Sequence, residues 1–246
     1  MLTLTKSYQK LSPWICSPLD RSSRIFLETH LDLLSGELDE FLEAFIQAHN
    51  DEQEQQQRLR LSVMRLILQD SKRRGGTVEA VREAYVNLFG GLLLDPPSWL
   101  QEVENEWAAF VEEPWTERRL TVCKLQLKAA IERAQAIPET APEIIAELQY
   151  ELGNFFANDS AKRTPAMLQT AIDYYTQALQ VYTAERYPLR CARIWLTLGD
   201  VYRRLADNQH ADLLLKSLHY YSRAMAIYNS CGLPIDLHGQ PLKAGL

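Results

Sequence analysis

An internal duplication in the C-terminal half constrains this chain more than any other feature of its sequence. Tyr150–Pro188 and Leu196–Pro234 read as two copies of one segment. Each position of the first copy aligns with the position 46 residues later. Pairs that share a residue include Leu152/Leu198, Gly153/Gly199, Tyr174/Tyr220, Tyr175/Tyr221, Ala178/Ala224, Tyr182/Tyr228 and Pro188/Pro234. A fixed period of this size is typical of helical repeat arrays. Such arrays commonly bind other macromolecules along an extended surface.

Composition narrows the classes of function that the duplication leaves open. The chain has 246 residues, 46% of them hydrophobic, and a formal net charge of −6. A mildly acidic chain is unsuited to coating nucleic acid, because phosphate binding needs a dense basic face. The four cysteines are scattered and give no support to a zinc or redox motif. The N-terminal residues contain no apolar signal region, and no apolar run approaches the roughly 20 residues of a membrane span. We therefore expect a cytoplasmic protein without a membrane span.

Glycine and proline cluster between long periodic stretches, which predicts an all-α fold. Apolar spacing predicts helices from Asp20 to about Leu34, across Leu38–Ile46, from about Asp51 to Lys72, after Thr77, after Asp95-Pro96 and across Arg118–Ile137. Thr140 and Glu143 form a capping-box pattern that opens the first copy. Thr164-Pro165 combines a cap with a proline before its second helix.

These patterns predict four segments. They are an arm at 1–19, a helical region at 20–138, two repeats at about 142–188 and 189–234 within 139–236, and a tail at 237–246. Two repeats are fewer than the roughly three that a stable array needs. We therefore expect the helical region, or a second chain, to pack on the first repeat as its cap.

The duplicated segments resemble the tetratricopeptide repeat (TPR). Trp195, Leu198, Gly199 and Tyr202 fit the signature of its first helix, and Ala171, Tyr175 and Ala178 fit that of its second. The resemblance implies helical hairpins stacked as a right-handed solenoid with an N-terminal capping region. The period of 46 exceeds the usual period of about 34, which suggests lengthened helices. The segment also looks like TPR units of cyanobacterial proteins. Some of those carry a CHAT protease domain, which we do not expect in this chain.

In TPR proteins the first helix of each hairpin lines a concave groove, so the resemblance implies a set of partner-binding residues. From the first copy they are Glu147, Tyr150, Asn154 and Asn158, and from the second copy Arg193, Asp200, Arg203 and Arg204. Asparagine and arginine there can bind an extended peptide backbone or a carboxylate. The TPR clamp for chaperone C-termini is not expected, because Thr197 and Tyr150 replace two of its residues.

We find no sequence motif for catalysis or for a cofactor. Nucleotide-binding glycine loops, the nucleophile elbow and the zinc-protease motif are absent, and the five histidines are isolated. We therefore expect a non-enzymatic scaffold, adaptor or regulatory subunit that needs no cofactor or metal and binds a protein or peptide. One alternative is a regulator that contacts nucleic acid through Arg190, Arg193, Arg203 and Arg204. Another is a helical enzyme. The partner's identity and any homo-oligomer stay open.

Overall fold

The computed structural model describes residues 21–34, 37–48, 55–94, 97–100, 117–158, 164–206 and 211–231, and every regular element within them is helical. This confirms the all-α prediction for the described part of the chain. The predicted arm at 1–19, the tail at 237–246 and most of the helix after Asp95 lie outside the described residues.

The helices are α1 (Arg21–Thr29), α2 (Glu37–Ala48), α3 (Gln55–Arg73), α4 (Val78–Phe89), α5 (Glu117–Ala136), α6 (Pro142–Asn158), α7 (Pro165–Ala178), α8 (Pro188–Leu205) and α9 (Ala211–Ser230). Short 3-10 helices cover Leu31–Leu34 and Gly91–Leu93. Most bounds lie within a few residues of those expected from apolar spacing.

The first predicted helix is shorter than expected, because it ends at Thr29 instead of Leu34. The Thr29 hydroxyl donates to the carbonyl of Phe26 at 2.8 Å. The His30 Nδ1–H donates to the same carbonyl, also at 2.8 Å. Side chains that occupy main-chain carbonyls in this way compete with the helical hydrogen bonds. The chain then continues as the 3-10 helix.

The chain divides into two compact units, Met1–Leu88 with Tyr228–Leu246, and Phe89–Ile227. This division falls about fifty residues before the boundary that the sequence predicts at 138. In the first unit, the apolar side chains buried from α1, α2 and α3 include Leu27, Leu42, Met64 and Ile67. Tyr85 is also buried there, and its hydroxyl donates to Ser23 Oγ at 3.1 Å.

The second unit begins with helical segments that pack on the first copy of the repeat. Its apolar cluster joins Trp99 and Leu100, Leu127 and Ile131 of α5, and Ile144, Leu148 and Leu152 of α6. Residues 97–100 and α5 thus cover one side of α6. Part of the helical region before residue 138 therefore packs against the first repeat.

The two helical hairpins, α6–α7 and α8–α9, are built around one repeated contact between a glycine and a tyrosine. A Cβ atom added to Gly153 would lie 2.6 Å from Cε1 of the Tyr175 ring. At Gly199 the same atom would lie 2.7 Å from Cε1 of Tyr221. Only a residue without a side chain lets the ring approach so closely. The 46-residue spacing of the sequence is therefore also the spacing of the contacts.

Two further contacts occur inside each hairpin at equivalent positions. The Tyr175 hydroxyl donates to Asn154 Oδ1 at 2.9 Å, and the Tyr221 hydroxyl donates to Asp200 Oδ1 at 2.7 Å. The second recurring contact is a pair of aromatic rings, Phe156 with Tyr174 at 5.9 Å between ring centroids and Tyr202 with Tyr220 at 5.6 Å. Both of these pairs are stacked. The hairpins therefore share their internal packing as well as their sequence.

The two predicted helix caps of the first copy have different outcomes. Thr164 is the N-cap of α7, accepting from the Met167 N–H at 3.3 Å, with Pro165 in the first turn, as predicted. The capping box of Thr140 and Glu143 is wrong. Among the described residues the buried Thr140 hydroxyl has no hydrogen-bond partner, and the Glu143 carboxylate instead accepts from the Tyr187 hydroxyl at 2.7 Å.

We predict that Gly153→Ala destabilises the protein, because its Cβ would overlap the Tyr175 ring. The expected loss of unfolding free energy is about 1–3 kcal/mol, typical of an overpacked core. Helix propensity alone predicts the opposite sign, a gain of about 1 kcal/mol. Denaturant unfolding followed by circular dichroism measures the change.

Combining Gly153→Ala with Tyr175→Leu serves as the control for this clash. The double variant should lose less stability than the sum of the two single losses, because the ring that meets the new methyl group is gone. Stabilisation by Gly153→Ala alone would contradict the contact.

Candidate functional site

A buried ion pair joins the first helices of the two hairpins. The Arg190 guanidinium of α8 binds the Glu147 carboxylate of α6 through both oxygens, with Nε to Oε2 at 3.1 Å. The two side chains are only 3% exposed. Arg190 also lies over the ring of Tyr150, 4.5 Å from its centroid. If either side chain moved away, the other charge would be left buried without a partner, which costs stability. Each side chain therefore holds the other in place.

Tyrosines and a glycine pair surround this ion pair. The Tyr182 hydroxyl lies 2.9 Å from Glu147 Oε2 and 2.8 Å from the Glu143 carbonyl, and it accepts from the Gly91 N–H at 2.9 Å. Burial raises the pKa of Tyr182 well above its ordinary value, so the hydroxyl keeps its proton. Since one proton cannot serve two acceptors, the hydroxyl donates to one of them at a time.

The glycine pair has a role that the sequence did not show. Gly90 has φ of +92°, and a Cβ atom there would overlap the Glu147 carboxylate. A Cβ atom on Gly91 would overlap the backbone at Glu143. The turn after α4 therefore lies directly against the N-terminal half of α6. That half is consequently closed to a partner in this structure.

Two of the predicted partner-binding residues lie in this interior. Glu147 and Tyr150 are buried and hold α6 against α8. Arg190, which the nucleic-acid alternative includes, is buried with them. The other predicted residues lie at or near the surface.

A row of polar side chains, each at least partly exposed, runs along α6 from Glu151 and along α8 from Arg193, and we call it the polar strip. It consists of Glu151, Asn154 and Asn158 of α6 with Arg193, Thr197, Asp200 and Arg204 of α8. Steps of three and four residues place these side chains on one face of each helix. The strip follows the duplication, because Glu151, Asn154 and Asn158 are the counterparts of Thr197, Asp200 and Arg204.

Contacts within the polar strip connect the two hairpins. Arg204 donates to the Ala157 carbonyl at 3.0 Å and to Asn158 Oδ1 at 3.5 Å. The Ala157 carbonyl lies in the last turn of α6, where carbonyls lack a partner within the helix. With the Glu147–Arg190 pair near the other end, these contacts show that α6 and α8 run side by side in the same direction. The strip is therefore a paired surface of two helices.

Acidic and basic groups alternate along the strip. Asn154 Nδ2 donates to Glu151 Oε2 at 3.3 Å, and the nearby charge of Arg193 favours the ionised carboxylate. Arg203, beside the strip, donates to Asp200 at 3.3 Å. Burial nevertheless raises the pKa of Glu151 above its ordinary value of 4.5. Glu151 is thus a carboxylate whose ionisation is opposed by its surroundings.

The structure places six of the eight predicted residues on or beside this strip, and sequence reasoning missed two members. Glu151 was not predicted, and Thr197 was considered only as a substitute for a clamp asparagine. Their signal was available, because they are counterparts 46 residues apart and lie one turn from Asn154 and Asp200.

Among the described residues, no helix combines the length and apolarity needed to cross a bilayer, and no cluster of His, Cys, Asp and Glu could hold a metal.

We predict that Glu147→Ala costs about 3–5 kcal/mol of stability, because it leaves the Arg190 charge buried without its partner. Replacing both residues, as Glu147→Met with Arg190→Leu, should cost less than Glu147→Ala alone. Arg73→Ala removes an exposed ion pair with Asp70 and should cost at most about 1 kcal/mol. Urea unfolding of the variants measures these differences. A loss as small as that of Arg73→Ala would contradict the structural role of Glu147.

A second prediction concerns the pH dependence of stability. Because the pKa of Glu151 is raised in the folded state, folding favours the protonated carboxyl. The contribution of Glu151 to stability is then full below its unfolded pKa and is lost as the pH rises through its folded pKa. Glu151→Gln should therefore match the wild type near pH 4 and become the more stable protein toward neutral pH.

Unfolding of the two proteins over this pH range measures the effect, with Glu79→Gln on an exposed turn of α4 as the control. The control should track the wild type at each pH. A Glu151→Gln variant that loses stability relative to the wild type as the pH rises would contradict the raised pKa.

Comparison with known proteins finds no relative of this chain: no protein-family model matches it, and neither the curated proteins nor the solved structures include a significant match.

Proposed function

We propose that this chain is a non-enzymatic, TPR-like interaction protein that binds a protein or peptide partner along the polar strip. The repetition of the Gly–Tyr contact supports the TPR-like interpretation, because the small residue and the aromatic residue recur at the signature positions in both hairpins. The remaining features of the solenoid, including its right-handed stacking and N-terminal cap, belong to the same proposal. The protein would act as a scaffold, adaptor or regulatory subunit.

The observation that carries this proposal is the composition of the polar strip. Its side chains project from two parallel helices and offer donors and acceptors at regular intervals. Arg204 uses one nitrogen on α6 and has further N–H groups for a carboxylate or a peptide carbonyl. Arg193 is exposed on the neighbouring turns of α8. Such spacing suits the repeated hydrogen-bonding groups of a peptide backbone.

The placement of the arginines favours a protein partner over nucleic acid. Arg190 is buried against Glu147, and Arg203 is paired with Asp200. Asp200 lies within the strip itself, and its charge would repel phosphates. A phosphate-binding surface needs basic groups without such acidic neighbours.

The proposal predicts that charge reversal on the strip removes peptide binding. A random peptide library displayed on phage would be selected against the full chain, and the recovered peptides would be titrated by fluorescence anisotropy. The test variant combines Arg193→Glu with Asn158→Ala. The matched control, Lys72→Glu with Gln135→Ala, makes the same kinds of change at exposed positions of α3 and α5.

The strip variant should bind at least about tenfold more weakly, equivalent to about 1.4 kcal/mol, while the control binds like the wild type. Equal affinities for all three proteins would contradict the strip as the binding surface. A labelled random oligonucleotide serves as a second probe. Binding that falls steeply with salt and is lost in the strip variant would favour the nucleic-acid alternative instead.

A further inference from the structure

The outer side of α9 exposes large apolar side chains with no charge among them. Leu214, Leu215 and Leu218 are 44%, 67% and 61% exposed. With Ala211 and Ser222 they form what we call the leucine face, because steps of three, four and seven residues place them on one side of the helix. A contiguous apolar face of this kind marks an interaction surface more often than a solvated one.

The internal duplication shows which kind of neighbour covers this part of the repeat. Leu168 and Ile172 of α7 are the counterparts of Leu214 and Leu218, yet they are only 5% and 6% exposed. The difference follows from position in the array, since α7 is followed by α8, which packs against it. α9 is the last helix that the structure describes. Leu214 and Leu218 thus repeat a part of α7 that is buried within this chain. The counterparts of the other three positions, Pro165, Gln169 and Thr176, are exposed.

We propose that the leucine face pairs with the leucine face of a second copy of this chain, giving a twofold dimer through antiparallel α9 helices. A twofold axis near Leu218 places Leu214 of one copy across from Ser222 of the other. Because the leucine face contains no charged residue, self-pairing brings no like charges together. Twofold symmetric contacts are the commonest way in which identical chains associate.

Head-to-tail association is the less suitable arrangement of two copies. In that arrangement the leucine face of one copy would pack on the outer side of α5 in the next copy. Helix α5 is the first of the long helices described in the second unit, and α9 is the last. Leu125 is exposed on the outer side of α5, but Lys128 and Glu132 lie on the adjoining turns and are also exposed. An apolar face without charges fits its own copy better than it fits this mixed surface. Head-to-tail contacts also leave open ends, whereas the α9 pair closes on itself.

The dimer is tested by sedimentation velocity and light scattering on the full chain across a roughly hundredfold range of concentration. The wild type should approach twice the monomer mass of 28.3 kDa as the concentration rises. Leu214→Glu with Leu218→Glu should remain at the monomer mass. Leu125→Glu places the same charge at an exposed leucine of α5 and should dimerise like the wild type.

A cross-link keeps the proposal falsifiable if the glutamate variant folds poorly. In the proposed dimer the two Leu218 side chains lie close to the axis, so Leu218→Cys should form a disulfide-linked dimer under mild oxidation. The wild type, with its own cysteines, and Leu125→Cys provide the background.

Three results would overturn the dimer. The first is a wild type that stays monomeric at every concentration. The second is a dimer that persists in the glutamate variant, with cross-linking of Leu218→Cys no greater than the background. The third is a monomeric wild type whose thermal stability falls in the glutamate variant, which would show that another part of the same chain covers the leucine face.

Discussion

The second unit depends on the close approach of two helices at a glycine, which occurs once in each hairpin. Gly153 and Gly199 allow the rings of Tyr175 and Tyr221 to lie against the backbone of the facing helix. The ring hydroxyls then reach Asn154 and Asp200 on that helix. Side chains that would otherwise point freely into solvent are thereby held in fixed positions. This packing therefore holds Asn154 and Asp200, two members of the polar strip, in place.

The contact between the hairpins includes a buried polar pair near the N-terminal ends of α6 and α8. Glu147 and Arg190 are buried together, and Tyr182 connects the carboxylate to the turn at Gly91. A buried pair of this kind contributes little net stability compared with apolar packing, but it tolerates only one arrangement of its partners. It sets α6 beside α8 in a fixed register. The accessible part of this helix pair is the polar strip, which begins at Glu151 of α6 and at Arg193 of α8.

The duplication and the helices could be predicted from sequence, because each of these leaves a local or periodic pattern. The duplication marked the glycines and the tyrosines, but their contact appears only in the structure. The burial of Glu147 and Tyr150 could not be predicted either. The TPR register places both in a groove, but the Gly90–Gly91 turn occupies that position against α6. Contacts between residues so far apart in sequence leave no periodic signal. The same limit explains the capping box, since the Glu143 side chain turns to Tyr187 from a later segment.

The exposed and buried sides of the repeats also depend on which helix comes next in the chain. Leu168 and Leu214 are identical residues at equivalent positions, yet one is buried and the other is exposed. The sequence of either helix by itself predicts the same apolar face. The difference lies in the neighbours that the structure describes, since α8 follows and packs against α7. The leucine face therefore became visible only in the structure.

The central claim is that the two hairpins are copies of one packing unit, and nuclear Overhauser effects between glycine and tyrosine test it most directly. The α-protons of Gly153 should show cross-peaks to the ring protons of Tyr175, and those of Gly199 to the ring protons of Tyr221. In both glycines the adjacent ring should also shift the α-proton resonances upfield. Both sets of cross-peaks are the predicted result. Their absence at either glycine would contradict the repeated packing that holds Asn154 and Asp200 in place.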